Sequence, residues 1–114
     1  MELKEIAQRL EQLGMPVAYY IFDKPQNLPF VVYYESGADI QGADNYNLYR
    51  DAEIRISLYC KKKDIHLERR LEGLFRDTEL DKTEIYIPEE KMYEITYSLV
   101  TIQKVSENDA TYSD

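Results

Sequence analysis

The sequence predicts an α+β fold of two layers. A mostly antiparallel sheet of about five strands carries two helices on one face, in the order α-β-β-β-α-β-β. Three observations predict it. Two segments each carry a single apolar stripe at helical spacing. Five others show runs or alternation of strand-forming residues. A chain of 114 residues closes one modest core and not two, so these elements belong to one domain, expected over residues 1–105.

The first helix is predicted over residues 2–13. Leu3, Ile6, Leu10 and Leu13 fall at steps of 3, 4 and 3, Gly14 supplies a stop, and Pro16 prevents continuation. One stripe means one covered face, so the helix lies on a sheet. Val17–Phe22 is short and rich in β-formers and reads as a strand or a sheet edge. Asp23–Asn27 is a loop by composition. Pro29 opens the next strand, where a missing N–H is tolerated. Phe30–Glu35 is nearly continuously apolar and is expected to be central.

Ser36–Asn45 reads as a long irregular connection, too rich in Asp, Asn and Gly for a tight turn. If the strands on either side run on into it, through Asn45–Tyr49, it becomes a projecting hairpin. Glu53–Tyr59 alternates, with Ile54, Ile56 and Leu58 on one face and Glu53, Arg55, Ser57 and Tyr59 on the other. Asp64 is a good N-cap for a helix running to about Arg76, whose stripe is Leu67, Leu71, Leu74 and Phe75. Thr83–Ile87 alternates and is ended by Pro88. Met92–Val105 is the last strand, with Tyr93, Ile95, Tyr97 and Leu99 on one face. The apolar phase then moves to Val100 and Ile102, which predicts a bulge near Ser98–Thr101. Ser106–Asp114 has no apolar pattern and is expected to be a flexible acidic tail.

Charge excludes several function classes. With 14 basic and 22 acidic residues the net charge is −8. Such a chain lacks the basic face that binds nucleic acid by neutralising phosphates, or that docks on anionic membrane. No signal peptide or membrane-spanning stretch is evident, so the cytoplasm, or a particle assembled there, is the expected compartment. The charge is uneven. Residues 61–77 hold six basic groups against four acids, and residues 78–114 hold three against nine. Such a chain either has solvated faces or pairs head to tail with its own copies. The single cysteine, Cys60, excludes an intrachain disulfide and is expected to be a small buried hydrophobe. Tyrosine is in excess, with eleven Tyr against three Phe and no Trp. The pairs Tyr19-Tyr20 and Tyr33-Tyr34 must split across the faces of their strands, leaving one ring of each away from the core. These outer rings fit either an open sheet face or an interface.

Chemistry is sparse. His66, the only histidine, sits in the first turn of the second helix with no nucleophile near it in sequence. Asp39, Asp44 and Asp51 lack the alternating ligands and closing glutamate of a calcium loop. The glycines form no phosphate cradle. No catalytic, cofactor-binding or metal-ligating residues are therefore assigned. What remains is recognition. Asp39, Gln41, Asp44, Tyr46, Tyr49 and Asp51 in the 36–51 segment, with the basic run Lys61, Lys62 and Lys63, are the candidate interface residues. Small residues there admit a neighbouring backbone, tyrosines can anchor, and an open sheet edge can accept a second copy.

The order of short motifs completes the reading. Pro16-Val17-Ala18-Tyr19 leads to Phe22, then Leu28-Pro29-Phe30-Val31-Val32-Tyr33. Asp39, Ala43-Asp44-Asn45 and Tyr49 precede Glu53-Ile54-Arg55-Ile56-Ser57-Leu58-Tyr59, and Lys62-Lys63-Asp64, Leu67-Glu68 and Leu71-Glu72 follow. This order, over about residues 1–105, resembles the tail-completion, or head–tail joining, proteins of tailed phages and prophages of Gram-positive bacteria. The resemblance implies a virion structural protein located in the tail or neck. Such a protein forms a ring of its own copies, a hexamer for instance, around the DNA channel. It contacts the tail-tube protein and the head–tail connector. The resemblance places Ser36–Asp51 at the inward loop and carries no catalytic residue, cofactor or sequence-specific nucleic-acid contact. Two other readings stay open: a small acidic inhibitor or DNA mimic acting on a host enzyme, and a small enzyme whose site gathers Asp44, His66 and tyrosines.

Overall fold

The computed structural model describes residues 1–41 and 48–105. It contains α1 (Leu3–Glu11), β1 (Val17–Tyr19), β2 (Phe30–Gln41), β3 (Leu48–Cys60), α2 (Ile65–Leu74), β4 (Asp81–Ile87) and β5 (Met92–Val105). The strands form one sheet in the order β1-β2-β3-β5-β4. Only β1–β2 is parallel; the other three pairings are antiparallel. The α+β architecture and the element order are those the sequence predicts. The expected tail, 106–114, lies outside the described residues.

Both helices cover the same sheet face, and the stripes explain why. Ile6 and Leu10 of α1 and Leu71 of α2 are fully buried, with Leu13 and Leu67 nearly so. They close on Ile54, Ile56 and Leu58 of β3 and on Ile95, Tyr97 and Leu99 of β5. Each such aliphatic side chain contributes about 1.5–3 kcal/mol of burial. Gly14, at φ +76°, takes the left-handed conformation that ends α1. The Asp64 carboxylate caps α2, accepting from the Leu67 N–H at 3.0 Å. Cys60 is buried, which pushes its thiol up to about 11 and keeps it protonated.

Arg9 clamps the two helices together. Its guanidinium donates to the Leu74 carbonyl at 2.9 Å and to both Asp77 oxygens at 2.7 and 2.9 Å, and it lies 5.4 Å from the centre of the buried Phe75 ring. The donated hydrogen bonds hold the Asp77 carboxyl down at about 2.

Several strands differ from expectation. β1 stops at Tyr19 rather than Phe22. Tyr20 turns to φ +71°, and the Ile21 N–H donates to the Tyr19 carbonyl at 2.8 Å. This is a γ-turn of the positive-φ kind, rare and strained in an L-residue. Tyr19 and Tyr20 are consequently both exposed, whereas Tyr33 is buried and Tyr34 lies on the opposite face. β2 does not end at Glu35. It continues to Gln41, so Ser36–Gln41 is strand rather than irregular loop, with the register shifting between Glu35 and Gly37. The bulge expected in β5 is absent. Its register with β3 runs unbroken from Leu48↔Val105 to Cys60↔Tyr93. The period of two is kept, so Thr101 and Gln103 are buried while Val100 and Ile102 are exposed. β4 starts at Asp81, and its residues are exposed up to Tyr86, as befits an edge strand.

Candidate functional site

Beyond the helix layer, β2, β3 and β5 continue together as a three-stranded arm. Its levels follow from the register: Glu35, Ile54 and Leu99 share one height, and Gln41, Tyr49 and Lys104 share another. The bulge at Ser36 reverses the side-chain phase of β2, so Ala38 joins Ala52 on the helix side and Asp39 joins Asp51 on the open side. On the helix side the arm is tied by polar groups. Arg50 donates to Glu35 at 2.6 Å and to Gln103 at 3.3 Å, spanning all three strands.

The open side of the arm is acidic. Asp39 and Asp51 are direct cross-strand partners, an arrangement of like charges that disfavours the pairing. Glu53 lies two residues farther on and shares a shallow hollow of about 270 Å³ with Glu79, Asp81 and Ser98. The Ser36 hydroxyl donates to Glu53 at 2.5 Å and, with Arg55 at 3.4 Å, lowers that carboxyl below its usual range. Among these carboxylates stand exposed apolar side chains, Tyr49, Val100 and Ile102.

At the other end the open face is aromatic. Phe22 meets Phe30 edge-on at 5.4 Å, Phe30 stacks on Tyr59 at 5.0 Å, and Tyr20 lies 4.9 Å from Tyr34. The Tyr59 hydroxyl donates to Glu94 at 2.6 Å; burial, and then that carboxylate, raise its pKa.

The predicted site residues thus separate into two places. Asp39 and Asp51 come together on the arm, Gln41 pairs with Tyr49 in the same ladder, and Asp44 and Tyr46 lie outside the described residues. Lys61, Lys62 and Lys63 follow the far end of β3, about 33 Å from Asp51 at a strand's rise per residue. Lys61 and Lys62 are exposed. Lys63 is engaged within the chain: its ammonium pairs with Glu84 and lies 2.7 Å from Glu68. Part of the basic run is therefore already matched to the acids of the following region inside one chain.

Sequence reasoning missed the network to which Lys63 belongs. Glu68 is 1% exposed and sits between Lys63 and Lys82, the latter at 2.7 Å. Lys82 also reaches Glu72 at 2.8 Å, and Glu72 accepts from the Tyr97 hydroxyl at 2.7 Å. The available signal was spacing: Glu68 and Glu72 each directly follow a stripe residue, Leu67 and Leu71, so they face the sheet margin. Burial raises the Glu68 and Glu72 pKa values, but the surrounding donors outweigh it and both end below the ordinary value. A carboxylate depressed in the folded state contributes stability above its unfolded pKa and loses it as pH falls through the folded value. Stability is therefore expected to decline below about pH 4.5. Glu68→Gln is expected to flatten that acid limb while lowering stability at neutral pH by about 1–3 kcal/mol. Urea midpoints measured from pH 3 to 7 check this, and an acid limb of unchanged slope would contradict it.

His66 is exposed on the first turn of α2. Among the described residues, no group of three His, Cys, Asp or Glu is placed to hold a metal ion, and no helix is long and apolar enough to cross a membrane.

No protein-family model matches this chain, and no curated protein does. Among solved structures, the fold is similar to that of a chain in the virion of a native gene transfer agent particle. The TM-score is 0.57 at 12% sequence identity, covering 90% of this chain and 89% of that one. At that identity the likeness is one of fold.

Proposed function

We propose that this chain is a structural protein of a phage-like virion. It closes the head-proximal end of a tail or joins tail to head, as a ring of its own copies around the DNA channel. The observation that carries the reading is the fold likeness to a chain of the gene transfer agent virion over nine-tenths of both chains. The ordered motifs of the sequence point the same way. The partners on this reading are further copies, the tail-tube protein and the head–tail connector, and the location is the tail or neck. The role requires no catalysis.

The acidic side of the arm suits a channel wall. Asp39, Asp51 and Glu53 repel phosphate, so DNA passes without being gripped. Particles produced without this chain are expected to leave filled heads and tails unjoined, or tails of uncontrolled length. Normal joined particles would contradict the role. The same carboxylate row is what favours the second reading, a DNA mimic. That reading requires a monomer that competes with DNA for a DNA-binding enzyme.

A further inference from the structure

Among the described residues, the two sides of the arm have edges with no strand partner. β1 pairs with β2 only through Tyr33, because the strained turn at Tyr20 carries the chain away. β4 pairs with β5 only through Ser98. The outer edge of β2 from Tyr34 to Gln41 and that of β5 from Leu99 onward therefore lack a neighbouring strand among the described residues. On the β2 edge the Glu35 N–H donates to the Tyr19 hydroxyl at 3.4 Å, and on the β5 edge the terminal ammonium of Met1 donates to the Ile102 carbonyl at 3.0 Å. The Met1 bond also shows that Ile102 turns its backbone groups outward, and Val100 does the same by the period of two.

Free edges of this length are usually guarded by charged side chains, proline, bulges or shortness. β4 is guarded, with Asp81, Lys82 and Glu84. β2 carries Glu35, Asp39 and the bulge at Ser36 but no lysine, arginine or proline from Tyr34 to Gln41, and β5 has no charged residue from Leu99 to Gln103. The two edges lie at the same height on opposite sides of the arm, with the β5 edge the less guarded, and β2 and β5 run in the same direction, each being antiparallel to β3.

We infer that the β2 edge of one copy adds in parallel to the β5 edge of the next, making one sheet that continues from subunit to subunit. This rests on the ring reading and gives it a contact. Edges level with each other are joined by rotation with little rise, which closes a ring rather than extending a filament. Side chains agree with the pairing. Tyr20 and Tyr34 stand on the open face beside the β2 edge, and Val100 and Ile102, 63% and 64% exposed, stand on the same face beside the β5 edge. Joining the edges covers both groups with each other.

Cysteine pairing tests it. Neighbouring strands lie about 4.8 Å apart, within reach of a disulfide. Strands of a closed sheet tilt, so register slides in steps of two residues on one face. Asp39→Cys is therefore combined in turn with Val100→Cys and with Ile102→Cys, all exposed positions, in the full chain under mild oxidation. The expected result is a covalent ladder ending at one fixed multiple for at least one pair, and no more than background dimer for each single variant. Rings of normal mass without a ladder from either pair would overturn the edge pairing and leave the ring intact. Neither rings nor ladder would overturn both. Efficient dimers from Asp39→Cys alone would mean that β2 pairs with β2, which also overturns it.

Discussion

Phe75→Ala is expected to cost about 3–5 kcal/mol of folding stability. The ring is fully buried at the C-terminal end of α2. It fills the space where α2 turns toward β4, and it is the surface on which the Arg9 guanidinium rests. Truncation leaves a cavity and also removes the platform beneath the clamp that joins α1 to Leu74 and Asp77. Against a total of about 5–15 kcal/mol for a domain of this kind, the loss leaves a substantial unfolded population. Urea denaturation followed by circular dichroism measures it, and a loss below about 1 kcal/mol would show that the site collapses around the gap.

Ile102→Pro is expected to abolish self-assembly while the monomer stays folded. Proline removes one N–H and fixes φ near −65°. At Ile102 that N–H points away from β3, so no bond of the internal ladder is lost, and β-edge positions tolerate the ring. Thr101→Pro is the contrast. Thr101 faces β3, opposite Ala52, so the same substitution there breaks the ladder and is expected to destabilise the arm itself. Light scattering with circular dichroism on both variants separates the effects. Rings of normal mass from Ile102→Pro would contradict the role given to this edge.

Much of this architecture is legible in the sequence because local pattern and tertiary need coincide. The stripes Ile6–Leu10 and Leu67–Leu71, the Asp64 cap and the alternation through Ile54, Ile56 and Leu58 each report burial directly. The arm was only half legible. Gly37, Ala38 and Asp39 are poor strand formers, and they extend β2 because β3 supplies the ladder partners and a bulge at Ser36 restores the phase. The apolar shift in β5 predicts a bulge only if burial follows hydrophobicity. Past Leu99 it does not. Arg50 with Glu35 makes the helix side polar, so Gln103 is the buried residue and Ile102 the exposed one. The end of β1 is set by the turn at Tyr20, which no propensity announces. In the candidate site, the pairing of Asp39 with Asp51 depended on that bulge. The capture of Lys63 by Glu68 and Glu84 depended on how α2 lies over β4.

On the proposed reading, copies of this chain join through the arm into a closed ring. Negative-stain imaging of the purified wild-type protein at high concentration tests it most directly. Rings of one diameter with a central opening are the predicted result; a field of single subunits, or filaments that lengthen with concentration, would contradict it.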